Sequence, residues 1–258
     1  MTGSYVAQPR PSALPRDKAM RLAATEYQRF AAAVAELGPQ DWARRTDCPA
    51  WNVHEMVAHV VGMAYMVTSR RENGRQRKGA LTRRTEGVPF IDWLTAYQVE
   101  RFGPNPPAEL ARLAAVVAPK AARGRKRVPG FVRRRSMPLP QLVGAVPEQW
   151  TLGFLIDTVL TRDTWMHRVD LARATGQPMV LTAEHDGAII ADVVAEWAER
   201  HGAPYRLTLT GPAGGIWSSG SAAAGTVGEE LTLDAVEFCR LVSGRGTATG
   251  LLTTAVPF

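Results

Sequence analysis

The feature that most constrains the fold is a long stretch, residues 149–174, whose helical periodicity places ionisable side chains on a face that must be buried. Residues spaced by three and four form one stripe, apolar in its first half and polar in its second: Leu152, Ile156, Val159, Asp163, His167, Asp170 and Ala174. A buried carboxylate is unfavourable unless it is paired or coordinates a metal. Asp163 and His167 lie one turn apart, as in metal sites that helical bundles complete from facing helices. The stripe therefore predicts a helical bundle with a metal site inside it.

A further ligand must come from another helix, and the chain offers few histidines for this role. They are His54, His59, His167, His185 and His201. His54 lies about 140° around the helix axis from His59, so the two do not easily share a site. His185 and His201 flank a later helix and look like surface or cap residues. His59, in mid-helix beside an apolar face, is the candidate that remains.

The set His59, Asp163 and His167 has the composition of a catalytic metal site. Two histidines and one carboxylate suit zinc, and also nickel or iron. Three protein ligands leave positions open for water or substrate, which distinguishes a catalytic site from a structural one.

Each of these residues also has a structural interpretation. A single histidine on a half-apolar helix is more often a core or boundary residue than a ligand. Asp163 can pair with Arg162 or Arg168, and Asp170 with Arg173. Asp170 is better interpreted as an acceptor for an imidazole N–H, or as an arginine partner, than as a fourth ligand.

Helical periodicity recurs along the first two thirds of the chain, which predicts a bundle over residues 17–177. We expect helices over residues 17–38, 53–69, 89–102, 108–120 and 149–174. Asn52 and Glu55 have the spacing of a capping box at the second helix, and Gly176 ends the last. Residues 1–16 are expected to be a flexible, proline-rich lead-in.

The pattern changes near residue 178 to that of a small α+β domain, residues 178–258. A helix over residues 183–202 precedes the alternating strand YRLTLTG. IWSSG and the small-residue turn SAAAGTVGEE after it indicate a hairpin, and ELTL another strand. Asp234 caps a closing helix, DAVEFCRLVSGR. The sequence thus predicts a mainly helical protein with a bundle first and a small α+β domain second.

The composition is that of an ordinary globular protein, with 45% hydrophobic and 21% charged residues. No apolar run approaches the roughly 18 residues of a membrane helix, and the first residues show no apolar segment of a secretory signal. The two cysteines, Cys48 and Cys239, do not make a disulfide framework. We expect a reduced, cytoplasmic setting and no membrane partner.

Most of the net charge of +7 comes from two basic runs, residues 70–84 and 120–135. Such runs attract phosphate or anionic surfaces. They lack the interleaved aromatic residues of single-strand binders, and no DNA-binding motif accompanies them. We interpret both runs as solvated loops and expect no nucleic-acid partner.

Two blocks of the sequence resemble the signatures of a known family. TDCPAWNVHEMVAHVVG, residues 46–62, resembles T-x-C-P-x-W-x-V-x-(acidic)-x-V-x-H-(L/V), and TWMHRVDLARATG, residues 164–176, resembles W-x-H-R-x-D-(L/I)-x-x-A-T-G. By these blocks, their order and their spacing, the chain resembles the DinB-like, mycothiol-dependent maleylpyruvate isomerase family. The resemblance covers most of the chain from about residue 18.

The resemblance implies a DinB-like four-helix bundle followed by a small α+β domain of the sterol-carrier type. It also implies a divalent metal, usually zinc, held by His59, Asp163 and His167, and a catalytic arginine in the second domain, best matched by Arg245. The family's carboxylate ligand is typically Glu, and Asp163 is one methylene shorter. Either the helix sits closer to the metal, a water bridges the gap, or the site is degraded.

Three functional hypotheses follow. The first is a metal-dependent enzyme that uses mycothiol or a similar small thiol, as an S-transferase or cis–trans isomerase, on a small electrophilic substrate. The metal would stabilise the thiolate, Asp170 would orient a ligand, and Arg245 would neutralise an anionic substrate group. The second is a non-enzymatic protein that binds a small ligand on the same scaffold, and the third is nucleic-acid association through the basic runs.

Overall fold

The structure, a computed structural model, describes residues 8–219 and 228–258 of the chain. The chain divides between Gln177 and Pro178 into two compact units, called unit 1 and unit 2 below. Unit 1 contains α1 (Arg16–Ala35), α2 (Val53–Met66), α3 (Arg70–Leu81), α4 (Phe90–Phe102), α5 (Pro107–Lys126), α6 (Gly130–Arg133), β1 (Gln141–Val143), β2 (Val146–Glu148), α7 (Leu152–Phe154), a π-helical segment (Leu155–Val159) and α8 (Leu160–Thr175).

The bundle of unit 1 is formed by α1, α2, α5 and α8, which pack around one hydrophobic core. Its buried side chains recur at three- and four-residue steps and include Tyr27, Phe30, Val57, Val60, Leu110, Val117 and Leu171. Eleven of the 14 residues of α2 are buried. The reason is that α5 and α8 cover part of α2, while α3 and α4 also pack against it. α2 is therefore the central helix of the unit.

The start of α2 and the end of α8 follow the sequence prediction. The main-chain N–H of Glu55 donates to Oδ1 of Asn52, and the main-chain N–H of Asn52 donates to Oε2 of Glu55, both at 2.9 Å. This reciprocal pair is the predicted capping box. Gly176 ends α8 in the left-handed conformation, with φ of 75°.

The described part of the lead-in, which was expected to be flexible, contacts the chain just before α7. The main-chain N–H of Arg10 donates to the carbonyl of Gln149 at 2.8 Å, and that of Thr151 donates to the carbonyl of Arg10 at 3.0 Å. The Arg10 side chain also pairs with Glu148. These contacts fix the segment against the chain just before α7. Residues 1–7 lie outside the described residues.

The prediction of loops at the two basic runs was wrong. Residues 70–81 form α3, whose N-terminus is capped by Ser69, and its basic side chains project outward while Gln76 and Ala80 are buried. The second run continues α5 to Lys126 and then forms α6. Pro119 lies inside α5 without ending it, because buried residues on both sides of the proline hold the helix against the bundle.

The predicted helix over residues 149–174 is also interrupted. Residues 141–148 form the antiparallel pair β1–β2, and helical structure begins only at Leu152, where Thr151 caps it. The π-helical segment then inserts before α8. Such segments leave main-chain carbonyls without their usual partner. Here the carbonyl of Ile156 accepts a hydrogen bond from Nε of Arg125 at 2.8 Å.

Unit 2 contains α9 (Asp186–His201), β3 (Tyr205–Thr210), β4 (Gly215–Ser219), β5 (Glu229–Asp234) and α10 (Ala235–Val242). The sheet has the order β4-β3-β5, with β3 antiparallel to β4 and parallel to β5. The predicted hairpin after IWSSG was wrong, since β4 pairs with the strand that precedes it. Residues 221–227 of the turn assigned to SAAAGTVGEE lie outside the described residues. Asp234 caps α10 through Oδ1, as predicted.

The predicted fold class, a mainly helical bundle followed by a small α+β domain, is confirmed by this architecture. Its likeness to the sterol-carrier type stays a prediction. Among the described residues, none of the helices is both long enough and apolar enough to cross a membrane.

Candidate metal centre

His59, Asp163 and His167 meet between α2 and α8. Nε2 of His59 lies 3.8 Å from Oδ2 of Asp163, and Nε2 of His167 lies 3.6 Å from Oδ1 of the same carboxylate. One ligand atom from each residue lies within 4.8 Å of the others. Both imidazoles are only 4% exposed. The three side chains thus surround a common point with two nitrogen atoms and one carboxylate.

The other nitrogen of each imidazole is occupied by an acceptor. Nδ1 of His167 lies 3.0 Å from Oδ2 of Asp170, and Nδ1 of His59 lies 2.9 Å from Oε1 of Gln98. Each Nδ1 therefore donates its proton, and in the neutral ring each Nε2 carries the lone pair. A donor set of two such lone pairs and a carboxylate fits zinc and its neighbours in the first transition series.

The charges around His167 favour a cation at this position. Burial alone would lower the pKa of His167, but the Asp163 carboxylate and the hydrogen bond to Asp170 outweigh it and raise the pKa to about 10. Without a metal the ring is therefore an imidazolium at neutral pH. A bound metal ion would supply the positive charge in place of this proton.

The short side chain of Asp163 reaches both imidazoles. In α8 it lies one turn before His167, and its two oxygens face the two histidines separately. Whether this carboxylate binds a metal directly, in place of the family's Glu, stays a prediction.

Two residues of the segment before α2 border the site. The indole of Trp51 stacks on His59, with ring centroids 4.9 Å apart and an interplanar angle of 30°. Sγ of Cys48 lies 3.5 Å from Oδ2 of Asp170, so that the thiol donates to the carboxylate that holds His167. The first signature block thus contributes more than its histidine to this region.

The remaining histidines lie elsewhere. Nε2 of His54 is 2.8 Å from the carbonyl of Gly103 and belongs to the contact between α2 and the end of α4. His185 precedes α9 as its cap residue, one of the two positions expected for it, and is buried at 6% exposure. His201 packs against Trp197 at the end of α9, with centroids 4.3 Å apart.

Arg245 lies in unit 2, just after α10. Its side chain is half-buried and donates to Oγ of Ser243 at 3.3 Å, while its carbonyl accepts from Arg240 at 3.0 Å. These local contacts hold the segment after α10. The catalytic role that the resemblance implies for Arg245 stays a prediction.

Sequence reasoning missed the two glutamines behind His59. Gln98 on α4 bonds to His59, and Gln76 on α3 bonds to Gln98. The available signal was weak, because a polar residue in a basic run or on an amphipathic helix is normally solvated. Only the close packing of α3 and α4 on α2 makes these side chains internal.

Comparison with known proteins connects this geometry to a family. Residues 23–172 match the family model of the mycothiol maleylpyruvate isomerase N-terminal domain. The fold is similar to the crystal structures of the mycothiol-dependent maleylpyruvate isomerase and of a histidine-to-alanine mutant of it. In both cases the TM-score is 0.55, with 15% sequence identity over 90% of each chain. No curated protein matches this chain in sequence. The matched domain, which spans both the second and the last bundle helix, shows that the chain belongs to the DinB-like, mycothiol-dependent maleylpyruvate isomerase family.

Proposed function

We propose that the protein is a metal-dependent enzyme that uses mycothiol or a similar small thiol, as an S-transferase or a cis–trans isomerase, on a small electrophilic substrate. The observation that carries this proposal is the convergence of His59, Asp163 and His167 within 4.8 Å. Family membership supports the thiol, because the related solved structures are of a mycothiol-dependent isomerase. Zinc is the proposed metal, with nickel or iron as alternatives.

When bound, the metal would lower the pKa of a coordinated thiol and so supply a thiolate near neutral pH. His59 and His167 would hold it through Nε2, and Asp163 through its carboxylate. Asp170 orients the His167 ring through Nδ1. Trp51 stacks on His59 and excludes water from one face of that ring.

Arg245 is proposed, from the family resemblance, to neutralise an anionic group of the substrate. Its guanidinium is a permanent cation with a planar set of donors, which suits a carboxylate. The cytoplasmic location expected from the sequence stays part of this proposal.

Metal analysis of the purified full chain, expressed with added zinc or nickel, tests the centre. The matched variants are His59→Ala and His54→Ala, two histidines of the same helix of which only His59 faces Asp163. We expect one metal ion per chain in wild type and in His54→Ala, and none in His59→Ala or His167→Ala. A wild type without stoichiometric metal would remove the basis of the proposal.

A thiol-transfer assay then separates the functional hypotheses. Turnover of small electrophiles that requires both metal and thiol supports the enzyme. If transfer is absent while small ligands raise the unfolding temperature, a non-enzymatic binding protein is favoured instead. Salt-sensitive binding of nucleic acid would favour the third hypothesis.

A further inference from the structure

Two buried glutamines form a hydrogen-bonded series that ends at His59. Gln76 on α3 is 0% exposed and Gln98 on α4 is 1% exposed. A buried amide is unfavourable unless its donors and acceptor are bonded. The partners of these two amides therefore show what the pair does.

The orientation of the Gln76 amide is fixed by two acceptors that carry no proton. Nε2 of Gln76 donates to the carbonyl of Gly62 at 2.8 Å and to Oε1 of Glu72 at 3.1 Å. Neither acceptor can donate, since one is a main-chain carbonyl and the other a carboxylate held by Arg101. The NH₂ group of Gln76 must therefore point to these oxygens.

The orientation of Gln76 in turn fixes that of Gln98, which contacts His59. Oε1 of Gln76 accepts from Nε2 of Gln98 at 2.9 Å. This leaves Oε1 of Gln98 facing Nδ1 of His59 at 2.9 Å. A carbonyl oxygen only accepts, so Nδ1 must carry the proton and Nε2 the lone pair.

We propose that Gln98 and Gln76 are positioning residues that fix the tautomer and the ring orientation of His59, so that its Nε2 lone pair is directed at Asp163 and His167. The tautomer follows from the hydrogen bonds alone. The consequence for metal binding rests on the proposed function, in which His59 is a ligand.

Gly62 has two roles in this arrangement. Its carbonyl anchors Gln76, and its missing side chain admits the stem of Gln98 to the surface of α2. A Cβ at position 62 would lie 2.8 Å from Cβ and 2.9 Å from Cγ of Gln98, and 3.1 Å from the Phe102 ring. Such distances are too short for carbon atoms, so a side chain there would displace Gln98. The sequence thus leaves space on α2 for the residue that holds His59.

The test of the tautomer uses the metal-free full chain. A long-range ¹H–¹⁵N NMR spectrum, recorded at a pH where His59 is neutral, distinguishes a protonated from an unprotonated ring nitrogen. We expect the proton of wild-type His59 on Nδ1. In Gln98→Met, which keeps the shape and removes the acceptor, we expect a substantial population with the proton on Nε2. Gln98→Glu keeps an acceptor oxygen and should restore the wild-type tautomer.

Control variants separate this role from simple packing. Leu94→Ala removes a buried side chain one turn away on the same helix, so it should lower the unfolding temperature without moving the proton. Gly62→Ala should displace Gln98 and act like Gln98→Met, which provides a second route if that variant does not fold. A wild-type proton on Nε2 of His59, or a tautomer unchanged in both Gln98→Met and Gly62→Ala, would overturn the proposal.

Zinc affinity, measured by competition with a chelator, tests the consequence for the metal. We expect a loss of about 10- to 100-fold in Gln98→Met, in the range found for residues that orient metal-bound histidines, and near wild-type affinity in Leu94→Ala. Equal losses in both variants would contradict a positioning role. If the wild-type protein binds no zinc although the His59 ring proton is on Nδ1, the proposed function fails while the assignment of the tautomer holds.

Discussion

At the scale of single residues, the centre depends on a short carboxylate between two imidazoles. Asp163 offers one oxygen to each ring, at 3.6 and 3.8 Å. The carboxylate also contributes to raising the pKa of His167. The same negative charge would favour a metal ion, so the charge of Asp163 and not only its shape should matter.

Replacing Asp163 by Asn tests that charge. Asn has nearly the same shape but no negative charge, so we expect zinc affinity to fall by at least about 100-fold. Chelator competition on the purified variant measures the change. Asp92→Asn, an exposed position in the first turn of α4, carries the same chemical change and should leave zinc affinity unaltered. Equal affinity of Asp163→Asn and wild type would exclude Asp163 from the ligand set.

The sequence indicated the three candidate ligands, and Asp170 as an imidazole acceptor, but not the two glutamines behind His59. His59, Asp163 and His167 stand out because ionisable side chains on buried helix faces need a reason. Gln98 and Gln76 give no such signal, since their burial depends on how α3 and α4 dock. Metal binding itself stays a prediction.

At the scale of elements, α3 and α4 form a pair that buries two polar side chains, Gln76 and Gln98. Glu72 joins the two helices, since it accepts from Gln76 on α3 and from Arg101 on α4. Burial acts to raise the pKa of Glu72, but the hydrogen bonds from Arg101 and Gln76 outweigh it and lower the pKa below its ordinary value.

Glu72→Gln should therefore change how stability depends on pH. A carboxyl whose pKa is lowered by folding stabilises the fold above its ordinary pKa and loses this contribution as the pH falls through the folded value. We expect the free energy of unfolding to drop by about 1–2 kcal/mol at pH 7. The difference from wild type should shrink as the pH falls below 4.5, the ordinary value. Urea unfolding at a series of pH values measures this, and a difference independent of pH would contradict it.

The π-helical segment before α8 is a second element that the sequence does not reveal. Arg125, which is 0% exposed, donates to the carbonyl of Ile156 at 2.8 Å and to Oγ1 of Thr161 at 2.6 Å. The guanidinium also lies 5.6 Å from the ring of Tyr27. One buried arginine thus satisfies the carbonyl of the segment and joins α5 to the start of α8.

Arg125→Met should destabilise unit 1 by about 2–4 kcal/mol, because the half-buried Ile156 carbonyl and the buried Thr161 hydroxyl lose their donor. Arg123→Met, an exposed arginine of the same helix, should change stability by no more than about 0.5 kcal/mol. Chemical unfolding of the two variants beside wild type gives the comparison. A similar drop in the free energy of unfolding in both variants would show that the hydrogen bonds of Arg125 contribute little to stability.

Helix ends were predicted better than helix locations. The capping box at Asn52 and the left-handed Gly176 follow from local sequence, and the structure has both. α3 was missed because only Gln76 and Ala80 of its residues are buried, so it has no apolar period to detect. β5 was recognised as a strand, but its parallel pairing with β3 depends on contacts between distant segments, which local sequence does not encode.

At the scale of the whole molecule, the net charge is +7. In the first basic run, residues 70–84, ion pairs with acidic residues compensate part of the positive charge. Arg75 pairs with Glu72, and Arg83 pairs with Glu100, so that basic side chains around α3 have acidic neighbours. This arrangement favours a solvated helix face over a surface for nucleic acid, and a small-molecule substrate remains the proposed partner.

Metal binding should be visible in the stability of the full chain. A ligand at 100 times its dissociation constant stabilises the folded state by about 2.7 kcal/mol. For a unit of this size, we expect the unfolding temperature to rise by about 5–10 °C with zinc, and a chelator to reverse the rise. Calorimetry of wild type and His167→Ala measures it. A rise of the same size in His167→Ala would place the zinc elsewhere.

Anomalous diffraction from a crystal grown with zinc shows whether His59, Asp163 and His167 bind one metal ion together. We predict one strong peak at the zinc absorption edge, within bonding distance of Nε2 of His59, Nε2 of His167 and a carboxylate oxygen of Asp163. A crystal with no peak there, or with zinc bound only at other side chains, would contradict the account.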